Sequence, residues 1–242
     1  MINSTYSKLR KDRSGAQILD MLYCYSFSLK HNFNYQGAWF YYKKMRDRER
    51  SYLPQTTKLC KFLGLPEPLV NGDKNILNKI IPEEEYIPKN NYNEIFDDEF
   101  RKIIINKNKL NLKPIKQNEN DFIVAIHIRR GDVKKDNKWS FRYTPNSYYL
   151  KIINIIKKEH NNAIIYIFSE SKSQESFDDF TKLDCIMKLD TDLVEAWNYF
   201  IQADILVLAS SAFSIVPAIY NQNKVIYVWN KYFQPLKGWK QY

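Results

Sequence analysis

The stretch "FIVAIHIRRGDV", residues 122–133, drives an apolar run straight into a histidine, two adjacent arginines, a glycine and an aspartate. A strand ending this way delivers guanidinium groups to the carboxyl edge of a sheet, where open parallel sheets take their ligands. Strand alternation sends His127 and Arg129 to one side and Arg130 to the other, so the two arginines are expected to do different work. A guanidinium facing the cleft suits a phosphate, because its planar fork donates two parallel hydrogen bonds. With Arg129 in that role, Arg130 is expected to pair with Asp132 or a backbone carbonyl and hold the loop. Gly131 then supplies a backbone conformation that other residues resist. The plain alternative is an exposed charged turn.

Two other segments carry anion-binding chemistry. In "ADILVLASSAFSIVPAIYN", residues 203–221, an apolar run meets Ser210, Ser211 and Ser214 at a helix start, offering hydroxyls and free N–H groups. Two such strand ends in one sheet converge on a diphosphate, although serines there also serve as ordinary caps. In "DRSGAQ", residues 12–17, the small Ser14 and Gly15 let a backbone approach a phosphate just where a helix start adds positive partial charge. That segment is neither a P-loop nor a G-x-G-x-x-G pattern. Arg142 and Tyr143, in "FRYTPNSYY", lie before a helix and are candidates to line the same donor cleft or to form a structural turn.

These groups need a frame, and the C-terminal half supplies its pattern. Short apolar runs at 122–128, 163–168, 185–189, 205–209 and 225–229 alternate with helical patterns near 145–160, 173–183, 193–203 and 211–221, which implies a parallel sheet with crossover helices. The first helix is expected to open with Thr144 as cap and Pro145 at the first helical position. Toward the N-terminus, Ile18, Leu22, Tyr25 and Leu29 stand at helical spacing within 15–31, residues 33–39 read as a strand, and a helix is expected around 97–110. No strand is evident before the 12–17 loop. The domain boundary falls near 115, giving a reduced N-terminal α/β domain, 1–115, and a Rossmann-like domain, 116–242.

The chain has 242 residues, 44% hydrophobic and 15% aromatic, enough to bury a sizeable core. Its +10 formal charge is the balance of a polyanion binder. The excess is mostly lysine scattered among Asn and Ile, however, a composition bias rather than a patch, so nucleic acid is not the expected partner. Cys24, Cys60 and Cys185 are widely spaced without metal-ligand spacing and read as reduced core residues of a cytoplasmic protein. No apolar run approaches a membrane span, and the N-terminal residues lack the apolar core of a signal peptide.

"HIRRGD" at a strand end, "QADILVLASSAFS" downstream and "SGAQILDMLYCYSFSL" near the start resemble, in that order, the fucosyltransferase superfamily of α1,2- and α1,6-fucosyltransferases and protein O-fucosyltransferases. The resemblance implies a GT-B enzyme with two facing Rossmann-like domains, inverting, metal-independent and without a cofactor, moving fucose from GDP-fucose to a glycan. It implies that Arg129 holds the donor β-phosphate, that His127 lies in the nucleotide site, and that Ser210, Ser211 and the backbone at Gly15 approach the diphosphate. An acidic side chain reading guanine falls near Asp192 or Glu195. The segment around Ser214 lacks the tryptophans of typical α1,2 enzymes, which leaves linkage and acceptor open.

Transfer needs charge neutralised on the leaving diphosphate and a base for the acceptor hydroxyl. Asp132 and Asp136 are the nearest carboxylates for the second role. Two rival readings stand beside this one. "LDTD" offers Asp190 and Asp192 as the D-x-D metal site of a GT-A enzyme. Tyr41, Tyr42 and Tyr52 beside Lys43, Lys44, Arg46, Arg48 and Arg50 would suit a non-catalytic polyanion- or sugar-binding module.

Overall fold

The computed structural model describes residues 4–40, 47–70, 79–87 and 91–242. They divide into two compact units, Met1–Leu112 and Lys113–Tyr242.

In the first unit, β1 (Ser4–Lys8), α1 (Ser14–Lys30) and β2 (Asn34–Phe40) form a parallel β-α-β unit; α2 (Asp47–Arg50), α3 (Leu53–Leu63) and β3 (Leu69–Val70) follow, then α4 (Glu83–Tyr86), α5 (Tyr92–Ile95) and α6 (Asp98–Asn108). The sheet order is β1-β2-β3. A strand therefore does precede the 12–17 loop, contrary to the sequence reading. Its inward residues are Thr5 and Ser7 instead of aliphatics, which hides the usual alternation. Their hydroxyls are satisfied internally, Thr5 Oγ1 by Ser28 Oγ at 3.2 Å and Ser7 Oγ by the Tyr35 hydroxyl at 2.8 Å, so burial does not leave them unpaired.

The second unit carries β4 (Phe122–His127), α7 (Asn146–Glu159), β5 (Ala163–Ser169), α8 (Asp178–Thr181), β6 (Ile186–Leu189), α9 (Leu193–Gln202), β7 (Ile205–Val207), α10 (Ala212–Tyr220), β8 (Lys224–Tyr227) and β9 (Lys240–Gln241). All six strands are parallel, in the order β6-β5-β4-β7-β8-β9. Counted within the unit, that is the doubly wound order 3-2-1-4-5-6, whose chain reverses direction between β4 and β7. In open parallel sheets such a reversal, at the carboxyl edge, is where ligands bind. Val124, Ile126 and Ile128 of one parity pack with Tyr149, Ile152, Ile153 and Ile156 of α7 in a single buried cluster. His127, of the other parity, sets its ring 5.8 Å from Phe200 of α9 and 5.3 Å from Phe213 of α10.

Two helices begin later than their sequence pattern suggests. Pro145 is the extended residue before α7, with Thr144 outside it. The 173–183 pattern shrinks to α8, because Ser173 and Ser176 accept the Glu175 and Asp178 N–H groups and hold the preceding chain as a loop.

The turn that ends β4 depends on Gly131. Its φ is +74°, its N–H donates to the Lys172 carbonyl at 2.9 Å, and a Cβ there would lie 1.6 Å from Glu170 Oε2. Glu170 is the end of a movable side chain, so the backbone conformation is the larger constraint. Gly131→Ala is expected to cost about 1–2 kcal/mol and Gly131→Asn less, since Asn tolerates the left-handed region. Denaturant unfolding of both variants checks this, and equal stability of Gly131→Ala and wild type would contradict it.

Candidate active site

Ile126 pairs with Val207, so the residues following β4 and β7 meet at the switch point. There Arg129 Nη1 donates to Ser211 Oγ at 2.6 Å, and Nη2 reaches Asp132 Oδ2 at 3.1 Å. Ser211 is also the N-cap of α10, its Oγ accepting the Phe213 N–H. Ser214 is buried and ties the β7–α10 turn to Ala209, so it shapes the turn from within. Ser210 Oγ and His127 Nδ1 are buried and have no hydrogen-bond partner among the described residues. Burial, with Arg129 and Arg130 adding to it, pushes the His127 imidazolium down to about 3, so near neutrality the ring is uncharged and offers a hydrogen bond rather than a cation.

Arg130 does not pair with Asp132. The positive φ of Gly131 turns the chain back on itself and returns Asp132 to Arg129, three residues earlier. Arg130 is 1% exposed and lies on the opposite side, as the alternation requires. Its Nη2 donates to Asn146 Oδ1 at 2.5 Å and Glu175 Oε2 at 3.3 Å, its Nη1 to the Arg129 carbonyl at 2.9 Å, and its Cζ lies 4.5 Å from the Tyr143 ring centroid.

Glu175 is the partner the sequence reading missed. Its carboxylate also accepts the Asn146 N–H at 2.9 Å and pairs with Lys135 Nζ at 2.8 Å. Burial favours its protonation, but Lys135 and the Asn146 N–H outweigh that and hold its pKa below the usual carboxylate range. In sequence it is one of four acids among the serines of "SESKSQESFDD", and no spacing marks it out.

The remaining candidates fall elsewhere. Asp136 is exposed and accepts from Gln174 Nε2 at 3.3 Å. Arg142 ends a short 3₁₀ turn, with its Cζ 5.1 Å from both the Trp139 and Tyr232 ring centroids. Asp192 caps α9 by accepting the Val194 N–H at 3.0 Å, and Glu195 pairs with Lys188 Nζ at 3.0 Å. Asp190 accepts the Ser171 N–H at 3.0 Å, so the two carboxylates of "LDTD" serve different local bonds. Among the described residues no group of three potential ligands is arranged for a metal ion.

Ser14 and Gly15 belong to the first unit, in the first turn of α1, where Ser14 Oγ donates to the Tyr52 carbonyl at 3.3 Å. That turn has a second unforeseen support. Arg10 pairs with the buried Asp20 at 3.2 Å, whose carboxyl burial raises to about 7 despite the arginine. Of the polyanion-binding candidates, Tyr41, Tyr42, Lys43, Lys44, Arg46 and the side chain of Arg48 lie outside the described residues, and Arg50 pairs with Asp47.

A doubly wound parallel sheet with an arginine and serine hydroxyls at its switch point defines a nucleotide-binding α/β protein. Comparison with known families narrows this: the profile of glycosyl transferase family 11 matches residues 84–236, more than half of the chain, and the protein belongs to that family. It is accordingly a glycosyltransferase of a fucosyltransferase family. No curated protein sequence matches it. Among solved structures it is similar to a crystal structure of POFUT1 in complex with GDP, at 11% identity and a TM-score of 0.47, covering 91% of this chain and 96% of that one.

The Arg130 network generates a stability prediction. Glu175→Gln leaves the buried guanidinium without its carboxylate and is expected to cost about 2–3 kcal/mol. Combining it with Arg130→Met should restore part of that loss, because the unpaired charge goes too. Denaturant melts of the two single variants and the double variant measure the coupling, and simple additivity would contradict it.

Proposed function

We propose that the protein transfers fucose from GDP-fucose to a glycan hydroxyl by an inverting, metal-independent displacement. The observation that carries this reading is the Arg129–Ser211 bond at the β4–β7 switch point, beside the buried, unpartnered His127 Nδ1 and Ser210 Oγ. In the proposed complex Arg129 forks onto the β-phosphate and neutralises the charge that develops as the diphosphate leaves. The first N–H groups of α10 add positive partial charge on the same side. Neutral His127 and Ser210 then find their hydrogen-bond partners in the nucleotide.

Inversion needs one displacement, with a base taking the acceptor proton as the acceptor oxygen attacks. Asp132 is the better placed carboxylate, since it touches Arg129 while Asp136 is bound to Gln174. The GT-B arrangement, the approach of Ser14 and Gly15 to the diphosphate, and guanine reading by Asp192 or Glu195 enter the proposal through the family resemblance. A cytoplasmic location joins it, in keeping with the three buried free thiols of Cys24, Cys60 and Cys185.

Nucleotide specificity tests the donor. GDP is expected to raise the melting temperature, with about 2.7 kcal/mol of added stability at a hundredfold excess over Kd, while UDP and ADP leave it unchanged. An equal or larger shift with UDP would overturn the GDP-fucose reading. For the metal question, GDP release from GDP-fucose should survive EDTA; release abolished by EDTA and restored by Mn²⁺ would return the case to Asp190 and Asp192.

A further inference from the structure

The loop after β4 and the loop after β8 leave the same edge of the parallel sheet, and their side chains meet in an aromatic shelf. Trp139 and Phe141 lie 6.1 Å apart between ring centroids, as do Phe141 and Tyr232, with Phe141 38% and Tyr232 52% exposed. Three cations lie over these rings. Arg142 Cζ is 5.1 Å from the Trp139 and Tyr232 centroids and 5.5 Å from Phe141, Lys138 Nζ is 5.2 Å from Trp139, and Lys231 Nζ is 5.9 Å from Phe141. None of the three side chains has an acidic or hydrogen-bonding partner among the described residues. The nearest carboxylates in sequence are taken, Asp132 by Arg129 and Asp136 by Gln174. Exposed rings with unneutralised cations present a surface complementary to a ligand that carries both an apolar face and an anionic group.

Hydrogen bonds tie this shelf to the loop that carries Arg129. Asn137 Nδ2 donates to the Asp132 carbonyl at 2.8 Å, and Asn137 Oδ1 accepts the Trp139 N–H at 2.9 Å. A molecule resting on the shelf is therefore held by the same loop that carries the leaving-group arginine, where an acceptor must be fixed for its hydroxyl to attack.

We propose that Trp139, Phe141 and Tyr232, with Arg142, Lys138 and Lys231, form the acceptor subsite and that the acceptor is an acidic glycan bearing a hexuronic acid. This rests on the glycosyl-transfer reading above. A hexuronate satisfies both parts of the surface at once. The C–H face of its pyranose ring lies against an aromatic ring, and its carboxylate, attached at the ring's edge, reaches the guanidinium. A neutral sugar would use the rings and leave three cations unserved. Arg142, grouped with the donor residues on sequence grounds, becomes an acceptor-reading residue.

The test is calorimetric titration of the GDP-saturated protein with a glucuronate-terminated disaccharide, its glucose-terminated counterpart, a hexose-phosphate-terminated analogue and a short oligothymidylate. The uronate is expected to bind at least tenfold more tightly than the neutral sugar. Arg142→Gln should bring that ratio close to one, Lys231→Gln should lower it, and Tyr232→Ala should weaken both sugars. The affinity of Arg142→Gln for GDP should stay within twofold of wild type. Equal binding of the two sugars, binding of neither, a preference that survives Arg142→Gln, or tighter binding of the phosphate analogue or oligonucleotide would overturn the proposal. So would a greater than twofold loss of GDP affinity in Arg142→Gln. Failure of wild type to bind GDP would instead count against the donor reading, and the sugar ratio measured without nucleotide still decides the shelf.

Discussion

A guanidinium taken almost wholly out of water must find its counter-charge and its hydrogen-bond acceptors within the fold, or the fold loses several kcal/mol of stability. Arg130 is that group here. Its acceptors come from three separate stretches: the Arg129 carbonyl at the strand end, the Asn146 side chain at the start of α7, and Glu175 in the loop before α8. Satisfying one buried cation therefore fixes the ends of β4 and α7 and the course of the chain after β5 together. Lys135 completes the charge balance on Glu175 and ties in the residues just past the turn.

The orientation of Arg129 follows from this. With its carbonyl held by Arg130 and Gly131, two residues on, committed to a positive φ, Arg129 is directed across the switch point to Ser211 while Asp132 folds back onto it. In the proposed function the adjacent arginines thus divide two tasks that one could not perform. A phosphate ligand must be reachable, whereas a brace must be buried with its charge paired, as Arg130 is through its two Nη groups, and strand parity sends neighbours to opposite sides of the sheet. Burial, with the charge of both arginines adding to it, suppresses protonation of His127 and keeps it a neutral hydrogen-bonding group.

Much of the second unit was legible in the sequence because its central strands are largely buried and read as unbroken runs such as "FIVAIH" and "AIIYIF". The order of those strands was not read from the sequence; what was expected was that the strand ends carrying Arg129 and Ser211 would converge, and the adjacency of β4 and β7 brings them together. What escaped was polar. β1 buries hydroxyls that bond to one another, so its sequence carries no hydrophobic alternation. Of the two partners expected for Arg130, the backbone carbonyl is present and Asp132 is not, because the positive φ of Gly131 turns Asp132 back to Arg129. Glu175 lies 45 residues from Arg130, and a contact at that separation leaves no mark in local pattern.

The division of labour between the arginines is the claim on which the rest stands. It is tested most directly by calorimetric GDP titration of Arg129→Lys and Arg130→Lys, with thermal melts of both. Lysine keeps the charge and loses the planar fork, so Arg129→Lys should bind GDP about 1–3 kcal/mol more weakly while melting as wild type does. Arg130→Lys should melt at a lower temperature, and its folded protein should bind GDP nearly as tightly as wild type. Equal losses of GDP affinity in the two variants with unchanged melting would show both arginines on the phosphate and contradict the account.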